Sequence, residues 1–311
     1  MAAKPLVLRI SFRAGLMSNN KSVLIVSQDI SINSLSPALY VVAMPIGQWG
    51  DLSPRAIEVL SQVDVILAED TRVSGQILKS VGVLTRMVSF NSHSEVGKAG
   101  KVIESLERGN SLALISDAGT PTISDPGRFV VSRVIECGYS VIPVPGPCAL
   151  TAALSVSGFP VTPSHFFGFL ASKSSTRDQE LDVALAFAGT LIFYEAPHRI
   201  VDLGKRLDTK AVGRSVLFAR ELTKTHEQLI RITAGNCENW FIDNPDRIRG
   251  EFVVVLGPSK TKRSTCELAT DQLLNMLSRE LPPSKAAALT SEITGIPKRT
   301  LYRQLTGKSE A

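Results

Sequence analysis

From Leu39 to Gly257 the chain alternates short apolar runs, rich in β-branched residues, with longer segments of helical periodicity. Such alternation predicts strands and helices that follow each other along the chain, and therefore an α/β fold. Several runs are apolar throughout, which is typical of strands covered by helices on both faces. The predicted strands are LYVVA (39–43), VDVILA (63–68), SLALIS (111–116), SVIPV (140–144), TLIFYE (190–195), SVLFA (215–219), HEQLIRIT (226–233) and EFVVVLG (251–257).

Helix-start signals stand between these strands. Ser53-Pro54 supplies an N-cap and a proline at the first helical position, and Pro197 opens another helix in the same way. Asp125-Pro126-Gly127 opens a helix that is predicted to end at Gly138. The alternation thus predicts two sheets, with a boundary near residues 148–160.

After Gly257-Pro258 the composition changes to Lys, Ser and Thr (SKTKRST, 259–265), which is typical of a linker. Three segments with a helical pattern follow: CELATDQLLNMLSREL, SKAAALTSEITG and PKRTLYRQL. Gly295 ends the second segment, and Pro297 opens the third, which is basic and aromatic. Two helices joined in this way resemble a helix-turn-helix and predict a nucleic-acid-binding appendage at 264–311; a small helical cap on the body is the alternative.

Charge is distributed unevenly along the chain, whose formal net charge is +5. Residues 1–37 carry four basic side chains against one acidic, and residues 260–311 carry nine against five. Residues 38–259 therefore carry a net charge of −2 and are mildly acidic. An acidic body with basic ends predicts a polyanionic partner that meets the protein at its periphery; solvated tails without a partner are the alternative.

Composition also argues against several classes of protein. No apolar run approaches the ~20 residues that a membrane-spanning helix needs, so no membrane partner is predicted. The four cysteines form no C-x-x-C pair, which argues against a zinc site or disulfide framework and favours a reducing, cytoplasmic location. The acid-poor segment 1–37 is predicted to be a disordered extension, either a transit peptide or sequence upstream of a start at Met17.

Glycine- and proline-rich turns directly after three strands are the main candidate binding elements. They are MPIGQWGD (44–51), SDAGTPTISDPG (116–127) and PVPGPCA (143–149). No G-x-x-x-x-G-K-[ST] motif is present, and no G-x-G-x-x-G follows a strand. Because glycine lets the backbone approach a ligand and ligands bind beyond the carboxyl ends of strands, these turns predict a ligand held mainly by backbone groups. Simple connecting turns are the alternative.

The segment AEDTR (68–72) ends a strand with two carboxylates and an arginine. Glu69 or Asp70 can accept a proton or orient a hydroxyl there, and Arg72 can contact a phosphate. The alternative interpretation is structural, with Asp70 or Thr71 as the N-cap of the next helix.

Two further strand ends carry polar candidates. In RELTKTHE (220–227), Lys224 and Glu227 are candidates for deprotonating a hydroxyl, although a surface ion-pair set fits the same pattern. In FYEAPHR, His198 and Arg199 directly follow a strand, and His198 can act as a base or a ribose contact, with a helix-start hydrogen bond as the alternative.

Two other candidates for chemistry have weaker patterns. His93 and His165 lack metal-ligand spacing, so no metal site is predicted. Cys148 is interpreted as a small residue in a tight turn, because no histidine is paired with it in the sequence.

These segments, in this order, resemble the ribosomal RNA small subunit methyltransferase I family of the tetrapyrrole methylase superfamily. The resemblance spans about 38–258, and the AALTSEITGIPKRTLY tail is similar to the family's C-terminal end. The motifs that carry it are VAMPIGQWGDLS, LAEDTR, SDAGTPTISDPG, VIPVPGPCA, SGFP, TLIFYEAPHR, RELTKTHE and RGEFVVVLG.

The resemblance implies two α/β domains with S-adenosylmethionine in the cleft between them, and a homodimer. The implied domains are 38–148 and 149–258, followed by the helical RNA-binding appendage at 264–311. By analogy, the cofactor-binding residues are Pro45, Ile46, Gly47, Asp117, Ala118, Gly119, Thr120, Cys148, Ala149, Tyr194 and Glu195.

The implied activity is 2′-O-methylation of a cytidine ribose in the decoding centre of small-subunit (16S) rRNA, on free RNA or an assembled subunit. Catalytic candidates are Glu69, Asp70, Lys224 and Glu227, and RNA-binding candidates are Arg72, His198, Arg199, Lys298, Arg299 and Arg303. Two alternatives stay open: a methylase of the same fold that acts on a tetrapyrrole or another small molecule, and a non-catalytic nucleic-acid-binding metabolite sensor.

Overall fold

A computed structural model describes residues 35–91, 95–259 and 265–306. Nearly all of the predicted N-terminal extension, most of the predicted linker, and His93 lie outside these described residues. The strands are β1 (Leu39–Val42), β2 (Val65–Ala68), β3 (Met87–Ser89), β4 (Leu112–Ile115), β5 (Val141–Val144), β6 (Ser164–Phe169), β7 (Thr190–Glu195), β8 (Ser215–Arg220), β9 (Gln228–Thr233) and β10 (Phe252–Leu256).

Helices connect most of these strands, as the sequence pattern predicts. They are α1 (Pro54–Gln62), α2 (Thr71–Ser80), α3 (Glu95–Glu107), α4 (Arg128–Glu136), α5 (Ala149–Ser155), α6 (Ser174–Leu185), α7 (Pro197–Lys210), α8 (Cys237–Asp243), α9 (Thr265–Glu280), α10 (Pro283–Thr294) and α11 (Lys298–Thr306). The side chain of Ser53 accepts the N–H of Ala56 at 3.1 Å, which confirms the predicted N-cap of α1.

The first sheet is wholly parallel, with strand order β3-β2-β4-β1-β5. Its central strand β4 is buried at every residue. On one face, Leu112 and Leu114 pack with Val102 of α3 and Val130 of α4. Burial of apolar strands beneath helices is what stabilises a parallel sheet of this kind.

The second sheet is mixed, with strand order β6-β7-β10-β8-β9. Strands β6 and β7 are parallel, whereas β10 is antiparallel to both of its neighbours. Helices α6, α7 and α8 cover one face, where Leu181, Leu203 and Phe241 pack with Phe193 and Phe218. Two α/β sheets confirm the predicted fold class.

The other face of the second sheet meets the first half of the chain. Ile46, from the turn after β1, is packed in one apolar cluster with Leu217, Ala219 and Val253 of this sheet and Ala153 of α5. The loops of the first sheet are therefore held against the second sheet, and this contact positions the site described below.

Two strands are not predicted by the sequence pattern. Strand β3 has only three residues, too few to show a period. In β6 the register shifts between Phe166 and Gly168, and Gly168 has φ +67°, so the period-2 pattern is interrupted. Helix α4 begins at Arg128, directly after the predicted start signal Asp125-Pro126-Gly127.

The C-terminal helices form a small unit with its own core of Leu274, Ala287 and Leu301. Gly295 ends α10 in the left-handed conformation, at φ +73°, as predicted. Helix α11 follows after a three-residue turn. In the part of the chain that the structure describes, no helix combines the length and apolar character that crossing a bilayer needs.

Candidate active site

The three predicted Gly/Pro-rich turns lie together at the carboxyl ends of β1, β4 and β5. They line one side of a cavity of about 350 Å³, and the ends of β6, β7, β8 and β10 line the other. Open α/β sheets bind ligands at this kind of location. The lining residues are Ile46, Ala118, Gly119, Thr120, Ile123, Ser124, Asp125, Cys148, Ala149, Phe169, Tyr194, Glu195, Ala196, Pro197, Ala219, Leu222, Glu251, Phe252 and Val253.

The three turns are joined to one another by hydrogen bonds. The backbones of Met44 and Gly119 exchange two, with N···O distances of 2.8 and 3.0 Å. The hydroxyl of Thr120 donates to the carbonyl of Pro147 at 3.1 Å. Gly119 has φ +77°, and a Cβ atom there would lie 3.3 Å from Cγ2 of Ile46. The positive φ and the tight space beside the Ile46 side chain therefore favour glycine at this position.

Tyr194 connects α5 to the second sheet at the cavity wall. Its hydroxyl accepts a hydrogen bond from the N–H of Leu150 at 3.0 Å. Burial raises the pKa of Tyr194 above its usual range, so the phenol stays protonated. Its ring meets Phe169 edge-on, and Phe169 is 54% exposed at the cavity. The exposed ring offers an aromatic surface to a planar ligand group.

Glu195 is a buried carboxylate at the cavity, only 2% exposed. Its Oε1 pairs with Nε of Arg199 at 2.6 Å and accepts the N–H of Ala196 at 2.8 Å. Its Oε2 has no hydrogen-bond partner among the described residues. Because a buried carboxylate oxygen without a donor is costly, Oε2 is available to accept a hydrogen bond from a ligand.

Three carboxylates, Glu69, Asp117 and Asp125, crowd the strand ends beside the cavity. Burial raises the pKa of each, and repulsion from neighbouring carboxylates adds to the rise. Asp125 lines the cavity, whereas Oδ1 of Asp117 accepts the N–H of Asp70 at 3.0 Å. A half-buried carboxylate with a raised pKa is suited to accept a proton from a bound hydroxyl.

The loop after β8 is held against the first turn. The N–H of Gln48 donates to Oγ1 of Thr223 at 3.0 Å. Nζ of Lys224 bridges Oε1 of Glu221 at 2.9 Å and Oε2 of Glu251 at 3.0 Å. Burial alone would lower the pKa of Lys224, but these two hydrogen bonds outweigh it and raise the pKa. The ammonium group therefore stays charged and holds Glu251 at the cavity.

Most residues predicted to bind the cofactor line this cavity, but Pro45, Gly47 and Asp117 do not. Gly47 packs against the loop after β8, because a Cβ atom there would overlap side-chain atoms of Thr223 and Lys224. For the residues that do line the cavity, contact with a cofactor stays a prediction.

The residues predicted to be catalytic lie outside the cavity lining. Asp70 is the N-cap of α2, as in the structural alternative, and its Oδ2 pairs with Arg72 at 2.7 Å. This pairing lowers the pKa of Asp70 to about 2, which makes it a poor proton acceptor. Oε2 of Glu227 accepts the N–H of Thr223 at 2.6 Å. Lys224 does not line the cavity, but its Nζ contacts Glu251, which does.

The predicted RNA contacts fall into two groups. Arg72 and His198 are exposed at the strand ends, and Lys298, Arg299 and Arg303 are exposed on α11. The guanidinium of Arg199 is instead 13% exposed, because it pairs with Glu195 and donates to the carbonyl of Leu170. Arg199 is therefore paired inside the protein rather than exposed, and its contact with RNA stays a prediction.

Several cavity residues are missing from the sequence prediction, notably Asp125, Phe169 and Glu251. Asp125 belongs to a quoted motif, but its pattern indicates only a helix start. Phe169 ends strand β6, which the sequence pattern does not predict. Glu251 belongs to the motif RGEFVVVLG and opens the predicted strand 251–257, but that pattern indicates only a strand. Among the described residues, no group of three or more His, Cys, Asp or Glu side chains is arranged so that it could hold a metal ion.

Comparison with known proteins gives the class. The family described as Tetrapyrrole (Corrin/Porphyrin) Methylases matches residues 38–238, and the RsmI C-terminal HTH domain matches residues 265–307. A uroporphyrin-III-C-methyltransferase from Thermus thermophilus is similar in structure, with TM-score 0.51 and 18% identity over 70% of this chain and 93% of that one. A diphthine synthase is also similar in structure, with TM-score 0.56 and 12% identity over 70% of this chain and 89% of that one. The chain is thus a methyltransferase with the tetrapyrrole methylase fold.

Curated relatives narrow the class to one family. Ribosomal RNA small subunit methyltransferase I of Pasteurella multocida is 41% identical over 275 residues, covering 88% of this chain and 98% of that protein. The protein of the same name from Escherichia coli O157:H7 is 40% identical, covering 89% of this chain and 97% of that protein. The chain belongs to the ribosomal RNA small subunit methyltransferase I family.

Proposed function

We propose that this protein transfers a methyl group from S-adenosylmethionine to the ribose 2′-hydroxyl of a cytidine in the decoding centre of small-subunit rRNA. The observation that carries the proposal is about 40% identity, over nearly the whole of their length, to relatives named as small-subunit rRNA methyltransferases. The choice of a cytidine and of the 2′-oxygen comes from the family resemblance.

The cavity suits this methyl donor in its chemistry. Its walls combine backbone groups of the glycine turns with apolar side chains, which suits an adenosine group. The unpartnered Oε2 of Glu195 can accept a hydrogen bond from an amino or hydroxyl group. The exposed ring of Phe169 can pack on a planar base. Ile46, Gly119, Tyr194 and Glu195 would hold the donor.

Methyl transfer to a hydroxyl needs alignment and a proton acceptor. When bound, S-adenosylmethionine supplies an electrophilic methyl group on a positively charged sulfur. The turns and α5 fix the geometry of approach, which contributes much of the rate enhancement in such a reaction. We assign the Asp125 carboxylate as the acceptor: the ribose oxygen gains the methyl while Asp125 takes its proton.

RNA affinity is assigned mainly to the C-terminal unit. Helix α11 exposes Lys298, Arg299 and Arg303 together with Tyr302, which is 41% exposed. Phosphate contacts by such a helix make binding salt-dependent. Following the family resemblance, we also propose that the protein is a cytoplasmic homodimer.

The experiment is transfer of labelled methyl from S-adenosylmethionine to small ribosomal subunits that lack the modification, with free rRNA and no-RNA controls. Label recovered as 2′-O-methylcytidine after nuclease digestion is the expected result. Label in another nucleotide would overturn the assigned acceptor. Donor binding without any label in RNA would overturn the RNA substrate and favour a small-molecule methylase or a metabolite sensor.

A further inference from the structure

A second cavity, of about 330 Å³, opens at the same end of the second sheet as the donor cavity. We call it the arginine cavity, because Arg220, Arg247 and Arg249 line it together with His226. Two acidic residues, Glu221 and Asp246, also belong to its lining. Several of these residues belong to the motifs RELTKTHE and RGEFVVVLG, but the family resemblance assigns no role to the three arginines, and none of them lines the donor cavity.

The wall of the arginine cavity is built on a buried arginine. Arg220 is 6% exposed, and it donates from Nε to the carbonyl of Arg249 at 2.6 Å and from Nη1 to the carbonyl of His226 at 3.0 Å. It therefore holds the two loops that carry the exposed residues. Gly250, at φ +86°, has no room for a Cβ atom beside the Glu221 side chain. These contacts preorganise the cavity.

The charge inside the arginine cavity is positive. The exposed side chains of Arg247 and Arg249 form no salt bridge with the described residues. The Glu221 carboxylate is already engaged by Nζ of Lys224 and by the N–H of Glu251. Asp246 is then the one carboxylate of the lining without an ion-pair partner in the described chain, against three arginines. Such a site favours an anion, and arginine forks match phosphate geometry.

A chain of ion pairs joins the two cavities. Glu221 lines the arginine cavity, Lys224 bridges it to Glu251 with contacts of 2.9 and 3.0 Å, and Glu251 lines the donor cavity. In RNA, the ribose 2′-hydroxyl is adjacent to the 3′-phosphodiester of the same nucleotide. A strand whose 2′-hydroxyl enters the donor cavity therefore brings its backbone phosphates to this neighbourhood.

We propose that the arginine cavity binds a phosphodiester of the RNA strand beside the methylated ribose, and so positions the acceptor. This inference rests on the proposed function and adds a second RNA contact, distinct from α11. Its Arg247 and Arg249 side chains act by charge and geometry rather than in the chemical step.

The test compares two double variants that lose the same charge. R247A/R249A removes the exposed arginines of the cavity, whereas R86A/R108A removes exposed arginines at the amino ends of the first-sheet strands, away from both cavities. RNA KM, kcat and donor Kd are measured over a range of KCl concentrations, with thermal unfolding as a folding check.

We expect R247A/R249A to raise the KM for RNA about tenfold. The salt slope, which is the steepness with which log RNA affinity falls with log salt concentration, should decrease by about one to two. The kcat at saturating RNA and the donor Kd should be unchanged. R247K/R249K should keep most of the salt slope, and D246N should lower the KM for RNA. The R86A/R108A control should match the wild type.

Unchanged RNA KM and salt slope in R247A/R249A, or weaker RNA binding in D246N, would overturn the phosphate site while leaving the proposed function intact. A wild-type protein that transfers no methyl to RNA would instead overturn the proposed function, and the phosphate site with it.

Discussion

At the scale of single residues, backbone strain is concentrated around the donor cavity. Thr122, Glu221 and Thr223 are the non-glycine residues with positive φ in the described part of the chain, at 72°, 51° and 64°. Each such residue costs about 1–3 kcal/mol and persists only where its surroundings hold it. At Thr223 the hydrogen bond from Gln48 supplies that constraint, and at Glu221 the ion pair with Lys224 does.

Gly119→Val should abolish donor binding. The substitution places a branched side chain at φ +77°, where even a Cβ atom lies 3.3 Å from Cγ2 of Ile46. Gly138→Val is the matched control, because Gly138 has φ +82° and nothing within 4 Å of an added Cβ atom. Calorimetric titration with S-adenosylmethionine should show binding only in the control. Normal donor affinity in Gly119→Val would remove this turn from the site.

Asp125→Asn should lower kcat about 10²–10⁴-fold with little change in donor Kd, because an amide cannot take the hydroxyl proton. Burial and nearby carboxylates raise the pKa of Asp125. A base must be deprotonated, so wild-type activity is lost as pH falls through this raised pKa, above the range of an ordinary carboxylate. The measurement is the pH dependence of methyl transfer.

The control for this profile is Glu104→Gln, which alters an exposed carboxylate on α3. This variant should keep the wild-type rate and the wild-type acid limb, which is the fall in activity at low pH. An acid limb that survives in Asp125→Asn would assign the proton acceptor to another group.

At the scale of elements, side-chain caps at helix ends decide where several helices begin. The carboxylate of Asp208, on α7, accepts the N–H groups of Gly235, Cys237 and Glu238 at 2.6–2.9 Å, at the start of α8. Local sequence near α8 contains no sign of this cap, because its acceptor comes from a different helix. Such a contact is a property of packing rather than of propensity.

Asp208→Ala should lower the free energy of unfolding by about 2 kcal/mol at neutral pH, because three N–H groups at the start of α8 lose their acceptor. Burial raises the pKa of Asp208, but the three N–H donors outweigh it and lower the pKa overall. The stabilisation is therefore full above the unfolded pKa of about 3.9 and is lost as pH falls below it. Urea unfolding across pH measures this.

Asp182→Ala serves as the comparison, because Asp182 is exposed and pairs with Lys210 at the surface, at 2.6 Å. Its loss should cost well under about 1 kcal/mol. Equal destabilisation in the two variants would contradict the assigned cap.

At the scale of the whole molecule, the distribution of charge separates two tasks. The acidic body contains the donor cavity, whereas the basic helix α11 belongs to a separate small core around Leu274 and Leu301. RNA affinity and donor affinity should therefore respond to different substitutions.

The double variant Lys298→Ala and Arg299→Ala should weaken RNA binding and reduce its salt slope by about two, while donor affinity is unchanged. Both side chains lie in the first turn of α11, on its exposed side. Filter binding of small-subunit rRNA across salt concentrations measures the effect, with R86A/R108A as the charge-matched control. RNA affinity that is unchanged across salt would contradict the role of α11.

The sequence by itself determined the two-sheet fold, the three turns that line the cavity, and the Gly295 stop before α11. These features depend on local periodicity, on glycine and proline geometry, and on motif order. Tertiary structure alone decided that Arg199 is paired internally with Glu195, that Asp125 faces the cavity, and that Lys224 joins two cavities. The physical reason is that burial and the partner of a charged side chain depend on the packing of its surroundings, and no local pattern encodes that packing.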